Sequence, residues 1–404
     1  MARAQKHKWI FPARFRARAF GWKSQPAITR VREAVSEIKK VARKDLMLGA
    51  EGAVLFLQRV SAAIERVDGS SGSMGTAVYK ALQALVPIIC EAPADETTRD
   101  EWLARLWQAY LDDEMPYIEA LAESWGDLCV TPRRASQWAD DLAPFVRATW
   151  SRGSGYYNGT PACLSCLLAA GRHDELLALI EHAPYIWWFY RQYGVRALAA
   201  LGRVDEAIEY AHASLGLNDN EAALARLCEE VLLAAGRVDE AYERYAIAGN
   251  QANSRLATFR AIARKYPAKE KHQVLADLIE STPGEEGKWF ATAKHLKLHD
   301  LAVKLANESP CEPATLNRAA RDHLETHPAF ARAVALASLR WLTEGWGYEI
   351  TSADVHAAYD YALRAAEALG RREETKAVII EIVSSERSPD NFVRQVLGRW
   401  LGLR

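Results

Sequence analysis

The sequence predicts an all-α protein: an α-solenoid of antiparallel helix pairs preceded by an N-terminal helical region. Three observations lead there. Most of the 404 residues lie in stretches rich in Ala, Leu, Glu and Arg, which lose little side-chain freedom in a helix. The 15 prolines and 23 glycines are too few for a low-complexity chain and fall between those stretches, where helices would stop. In the middle of the chain, one glycine-centred pattern recurs at the spacing of a helix pair.

In chain order, residues 1–26 form a basic aromatic segment, 27–155 a helical region and 156–404 the repeat region. Residues 27–44 read as a basic amphipathic helix. Residues 49–67 read as a second, with Val54, Leu55, Leu57, Val60, Ala63 and Ile64 on its apolar face. The loop DGSSGSMG, residues 68–75, ends it. Further helices are expected over 76–90, over 99–110 behind the capping residues Thr97 and Thr98, over 116–129, and over 136–150 with Ser136 as N-cap. The stretch SRGSGYYNGTP, residues 151–161, reads as the junction to the repeat region.

Beyond it three segments align: LLAAGRHDELLALIEHA around Gly171, LAALGRVDEAIEYAHAS around Gly202 and LLAAGRVDEAYERYAIA around Gly236. Their glycines stand 31 and 34 residues apart. Over residues 160–250 the chain therefore resembles the tetratricopeptide (TPR) family, whose period is about 34 residues, with Gly between paired helices. An Ala follows five residues on, where the second helix packs against the first; Ala207 and Ala241 fill that position and Leu176 replaces it in the first copy. The resemblance implies a right-handed solenoid with a concave binding surface. LKLHDLAVKLANES and AEALGRREETKAVIIEI, the latter with Gly370 at its turn, are worn copies. Residues 288–371 are also similar to the end of an uncharacterised group of bacterial helical proteins, some of them associated with a SWIM-type zinc finger. This chain lacks that finger's CxC, so the similarity implies no zinc.

The net charge of −1 hides an asymmetry. Residues 1–44 hold 13 Lys or Arg against Glu33 and Glu37, a charge of +11, which leaves −12 for the rest. A basic head on an acidic body points to a charged partner for one or the other. No apolar run approaches the roughly 18 residues of a membrane-spanning helix, and the N-terminus lacks the uninterrupted apolar core of a secretory signal. The reading is a cytoplasmic bacterial protein with no membrane partner, its six cysteines reduced and mostly packed in apolar helices.

Motifs for chemistry are weak. Cys163 and Cys166 form a single CxxC without the second pair of a zinc site, and packing suits them better. The loop at 68–75 lacks the Gly-Lys-Ser/Thr close of a phosphate-cradling loop and reads as a connection, with anion binding at the following helix as its only functional use. His295 with His299, and His323 with His327, stand at the i, i+4 spacing by which one helix face can share a metal, but neither pair is HExxH. No nucleophile elbow or nucleotide fingerprint is present. The sequence thus names no catalytic residue, metal ligand or cofactor, and an enzyme with an unrecognised site stands only as a third reading.

Two aromatic clusters suggest binding instead. In YIWWFYRQY, a helix would spread six rings around its axis, so that Trp187, Trp188, Tyr190 and Arg191 are the candidate partner-binding residues. Trp341, Trp346 and Tyr348 form a second, ambiguous cluster. At the N-terminus, Trp9, Phe11, Phe15, Phe20 and Trp22 interleave with Lys8, Arg14, Arg16, Arg18 and Lys23. Lys8, Trp9, Arg14, Arg16, Arg18 and Trp22 could stack on bases and neutralise phosphates, fold onto an acidic surface such as the protein's own body, or remain a solvated tail. The expected function is a non-catalytic scaffold that holds a protein or peptide on its helical surface. The alternative is a nucleic-acid-associated factor using residues 1–44.

Overall fold

The structure is a computed structural model that describes residues 7–216, 220–386 and 391–403. Among these the chain is all-α, 73% helical with no strand. It divides into two compact units, Met1–Gly236 and Arg237–Arg404.

The first unit contains α1 Ser24–Ala42, α2 Leu46–Ile64, α3 Ser73–Glu91, α4 Glu96–Leu111, α5 Trp125–Cys129, α6 Pro132–Ser151, α7 Thr160–Ala169, α8 His173–Glu181, α9 Trp188–Ala200, α10 Val204–Ala213 and α11 Glu221–Ala234. Helix α1 packs on α2 and α3, and α9 packs on α7, α8, α10 and α11. The second unit contains α12 Val238–Gly249, α13 Arg255–Lys265, α14 Lys271–Glu280, α15 Phe290–His295, α16 His299–Glu308, α17 Pro313–His323, α18 Pro328–Thr343, α19 Ser352–Ala368, α20 Arg372–Ser384 and α21 Phe392–Leu401. There α17 to α21 each touch the next helix or the next but one. Short 3-10 turns occur at Phe11–Ala13, Glu119–Ser124 and Glu286–Trp289.

Several helix starts differ from the sequence reading, each for a local reason. Thr131, not Ser136, caps α6, because Pro132 is pre-shaped for the first helical position and the Thr131 hydroxyl accepts from Arg134 N. Asp95 caps α4, accepting from the Thr98 N–H, so Thr98 is the donor rather than the cap. Residues 116–129 are not one helix. The 3-10 turn leads into the short α5, whose Trp125 is wholly buried against Trp107 and Trp138 at 5.0 and 5.1 Å.

The repeated turn is built alike each time. Gly171, Gly202, Gly236 and Gly370 take φ of 71°, 77°, 75° and 68°, a left-handed conformation that costs glycine nothing. The Gly171 N–H reaches Leu168 O and the next N–H reaches Leu167 O, and Gly202 and Gly370 repeat both bonds. In each copy the following Arg pairs with a Glu three residues on, as Arg172–Glu175, Arg203–Glu206, Arg237–Glu240 and, more loosely, Arg371–Glu374. Leu176, Ala207 and Ala241 are all fully buried.

The worn copy at residue 297 keeps this geometry without its glycine. Lys297 holds φ 61°, its N–H reaches Lys294 O, and Leu298 N reaches Ala293 O, while Ala302 is fully buried at the alanine position. A side chain in that conformation is strained by about 1 kcal/mol relative to glycine. Lys297→Gly is therefore expected to raise the melting temperature of the second unit, and a fall in a thermal scan would show that the turn is not under strain.

Two helices, Leu46–Ile64 and Ser73–Glu91, are long and apolar enough by average hydropathy to cross a membrane, which the search for apolar runs did not predict. Both carry charges within the span. Glu51 on α2 takes bonds from Arg105 and from the Trp102 indole, and 56% and 44% of the two windows is buried in the unit's core.

Candidate functional site

Three interhelical connections of the first unit meet at one cleft. It is about 340 Å³ and is lined by the end of α4 with the loop after it, by the α6–α7 loop, and by the start of α9. These supply Tyr110, Asp113, Glu114 and Glu119, then Tyr156, Tyr157 and Asn158, then Trp187, Phe189 and Tyr190. Residues up to 80 positions apart thus share one wall.

The walls are held by bonds made away from the opening. Tyr110 donates to Asn158 O at 2.6 Å and Tyr190 to Gly155 O at 3.2 Å, and burial raises both phenols so that they stay neutral. A Cβ on Gly155 would stand 2.7 Å from the Tyr185 ring, so only glycine lets that ring lie against the loop. Tyr185 stacks on Trp187 at 5.8 Å, Trp187 tilts on Tyr190 at 5.5 Å, and Phe145 stacks on Tyr157 at 6.0 Å. Tyr156, Tyr185, Trp187 and Phe189 nevertheless keep much of their surface exposed.

The acids of this cleft are not tied up in ion pairs with its walls. Asp113 accepts from the Ser61 hydroxyl and from Ile118 N at 2.7 Å, yet burial pushes its carboxyl above the usual range. Burial and then the Asp113 charge raise Glu119 in the same direction. Among the described residues no Lys, Arg or His lines the cleft. Ring faces carry negative electrostatic potential, so rings and carboxylates together favour a cation.

The candidates from YIWWFYRQY separate in space. The run is not one helix: Pro184 and the extended Trp187 keep the chain out of helix until Trp188. Trp187 and Tyr190 line the cleft, Tyr190 from beneath; Trp188 is buried. Arg191 lies over the Tyr210 ring and donates to its hydroxyl at 2.8 Å. Of the second cluster, Trp341 is buried and donates to Ala306 O, whereas Trp346 and Tyr348 are exposed.

Part of the N-terminal segment, from Trp9 onward, lies on the protein's own body. Phe11 and Phe15 are buried against Phe56, and Trp9 covers Gly52. The Glu37 carboxylate accepts the backbone N–H groups of Ile10 and Phe11. Arg14 pairs with Glu33 and Arg18 with Glu65, whose carboxyl its hydrogen bonds hold below the usual range. Lys8, Arg16 and Trp22 remain exposed. Three of the six candidates, Trp9, Arg14 and Arg18, thus serve docking, with Phe11 and Phe15 buried beside them.

The histidine pairs are split by turns, so neither occupies one helix face. His295 ends α15 and meets Arg260, while His299 opens α16 and packs against His323 and His327 at ring distances of 5.4 and 4.5 Å. Burial, then the His327 and His323 charges, lower the His299 pKa. Among the described residues no group of three or more His, Cys, Asp or Glu is arranged to hold a metal. Cys163 and Cys166 are buried, and burial pushes the Cys163 thiol up to about 12, far from a reactive thiolate.

Sequence reasoning missed Tyr156, Tyr157, Asp113 and Glu119. The adjacent tyrosines inside a glycine-rich connection were the available signal; the acids gave none, because many acids flank helices. No known protein family matches this chain, and no curated protein matches it significantly.

Proposed function

We propose that this protein is a non-catalytic scaffold, a right-handed TPR-like α-solenoid, that holds a partner protein by a basic peptide segment. The observation that carries this reading is the cleft of exposed rings with three carboxylates and no cation. An Arg or Lys side chain of the partner would lie over Trp187 and Phe189 and approach Asp113 and Glu119. Such a cation–ring contact contributes roughly 0.5–2 kcal/mol, more as water is excluded. The recurring glycine turns support the solenoid, since they join helices in the way stacked helix pairs require.

The test is fluorescence anisotropy with labelled peptides of equal length, one rich in Arg and Lys, one in Asp and Glu, one neutral. The basic peptide is expected to bind at least about tenfold more tightly than either, a difference of about 1.4 kcal/mol. Because burial raises the Asp113 and Glu119 carboxyls, they take up protons sooner than ordinary acids as pH falls. Affinity should therefore fade on mild acidification, before exposed acids titrate. Equal binding of acidic and basic peptides would end the proposal.

A further inference from the structure

A second concavity of the first unit has the opposite character. Helices α1 and α3 enclose a groove of about 570 Å³, within the range of roughly 300–1,000 Å³ over which small-molecule sites occur. Its floor is apolar and small, with Val31, Ala77 and Ala81 buried. Its rim carries Arg32, Lys39 and Lys40 from α1, Arg43 just past its end, and Lys80 from α3.

Among the described residues no acid lines this groove, and none of the five cations stands within ion-pair distance of a carboxylate. That sets them apart from their own surroundings. On another face of α1, Glu33 takes both Arg14 and Arg30, and Glu37 is occupied by the backbone of Ile10 and Phe11. The acids of α1 are thus spent away from the groove, while Lys39 and Arg43, one turn apart, repel each other. Five like charges around a concave apolar floor are a standing repulsion that only an anion relieves.

From this we infer that the groove binds a compact polyphosphate, carried by a nucleotide or as inorganic polyphosphate. Several phosphates in a chain match several separated cations, whereas a single phosphate engages only some of them. The lining has no aromatic ring on which bases of a nucleic-acid strand could stack, which argues for a small polyanion over a polymer. The exposed hydroxyls of Ser36 and Ser73 add neutral polar contacts at the rim.

The experiment is calorimetric titration of the full chain with tripolyphosphate, ATP and orthophosphate at physiological ionic strength without magnesium. Saturable binding of one tripolyphosphate or ATP per chain is expected, weakening as salt is added. Whichever of the two binds more tightly identifies the source of the phosphates. Lys39→Glu and Lys80→Glu should each reduce affinity by about tenfold or more, because each replaces attraction by repulsion. Lys304→Glu in the second unit should leave it unchanged. The groove cations are exposed, so these variants should keep their helical circular dichroism spectrum, and Lys39→Gln with Lys80→Gln provides a milder pair. Absence of saturable heat, equal affinity for orthophosphate, or indifference to both Lys39 and Lys80 variants would overturn the inference. So would binding only to an oligothymidylate or to anionic phosphatidylserine vesicles.

Discussion

Replacing Arg99 with alanine is expected to destabilise the first unit by about 3 kcal/mol, a drop of roughly 6–12 °C in its thermal midpoint. Arg99 lies on α4 and is 3% exposed, an unusual place for a charge. Its two terminal nitrogens donate to Ile89 O at 2.5 Å and Ala92 O at 2.7 Å, at the end of α3. Those carbonyls have no intrahelical partner and carry the negative end of the α3 dipole, so a cation is what they need. Burial lowers the Arg99 pKa, but a guanidinium starts so far above neutrality that it stays charged. Alanine would take the Arg99 donor from Ile89 O, leave Ala92 O with only the Ala94 N–H, and open a void beside the Trp102 ring, which the guanidinium approaches to 5.2 Å. Lysine restores the charge without the fork, so Arg99→Lys should recover only part of the loss. Thermal scans of the three proteins decide the matter. An Arg99→Ala midpoint equal to the parent's would mean that water satisfies the two carbonyls at no cost, contrary to this account.

Arg99 also shows where sequence reading stops. Helix identity was legible because its signals are local: propensity, caps, and a glycine that takes a left-handed turn. The pattern even survives loss of the glycine at Lys297, where Asp300 and Ala302 keep the copy readable. An arginine that crosses to the previous helix carries no such mark, since its sequence neighbours look like any polar helix face. The same holds for the cleft. Tyr110 at the end of α4, Tyr156 in the α6–α7 loop and Trp187 just before α9 are far apart in sequence, and their meeting depends on how the helices pack. Charge was misleading for a related reason. The count over residues 1–44 gives a strongly basic segment, but Glu33, Glu37 and Glu65 answer part of it by position. Of the cations left over, Lys8, Arg16 and Lys23 are exposed in the aromatic stretch, while Arg32, Lys39, Lys40 and Arg43 gather on the side of α1 toward α3.

The adjacent tryptophans where α9 begins, Trp187 before it and Trp188 at its first position, should respond to the same substitution in opposite ways. Trp188 is 8% exposed, and Trp188→Ala should cost on the order of 3–5 kcal/mol of stability, as truncation of a buried aromatic does. Trp187 is 39% exposed in the cleft wall, stacked on Tyr185 and tilted on Tyr190. Trp187→Ala should leave the thermal midpoint nearly in place and weaken the basic peptide by about 2 kcal/mol, roughly thirtyfold in Kd. Arg191→Ala separates a third role. Its guanidinium serves the Tyr210 hydroxyl and ring, so its loss should lower stability modestly and affect peptide only through the position of α9. Measuring melting and peptide affinity on each variant gives a two-by-three pattern that a general loosening of α9 cannot imitate, because loosening would move both readouts together. If Trp187→Ala retains full affinity while the protein remains folded, the peptide does not sit in this cleft. The proposed partner would then need another surface, and the exposed Trp346 and Tyr348 of the second unit become the next place to substitute.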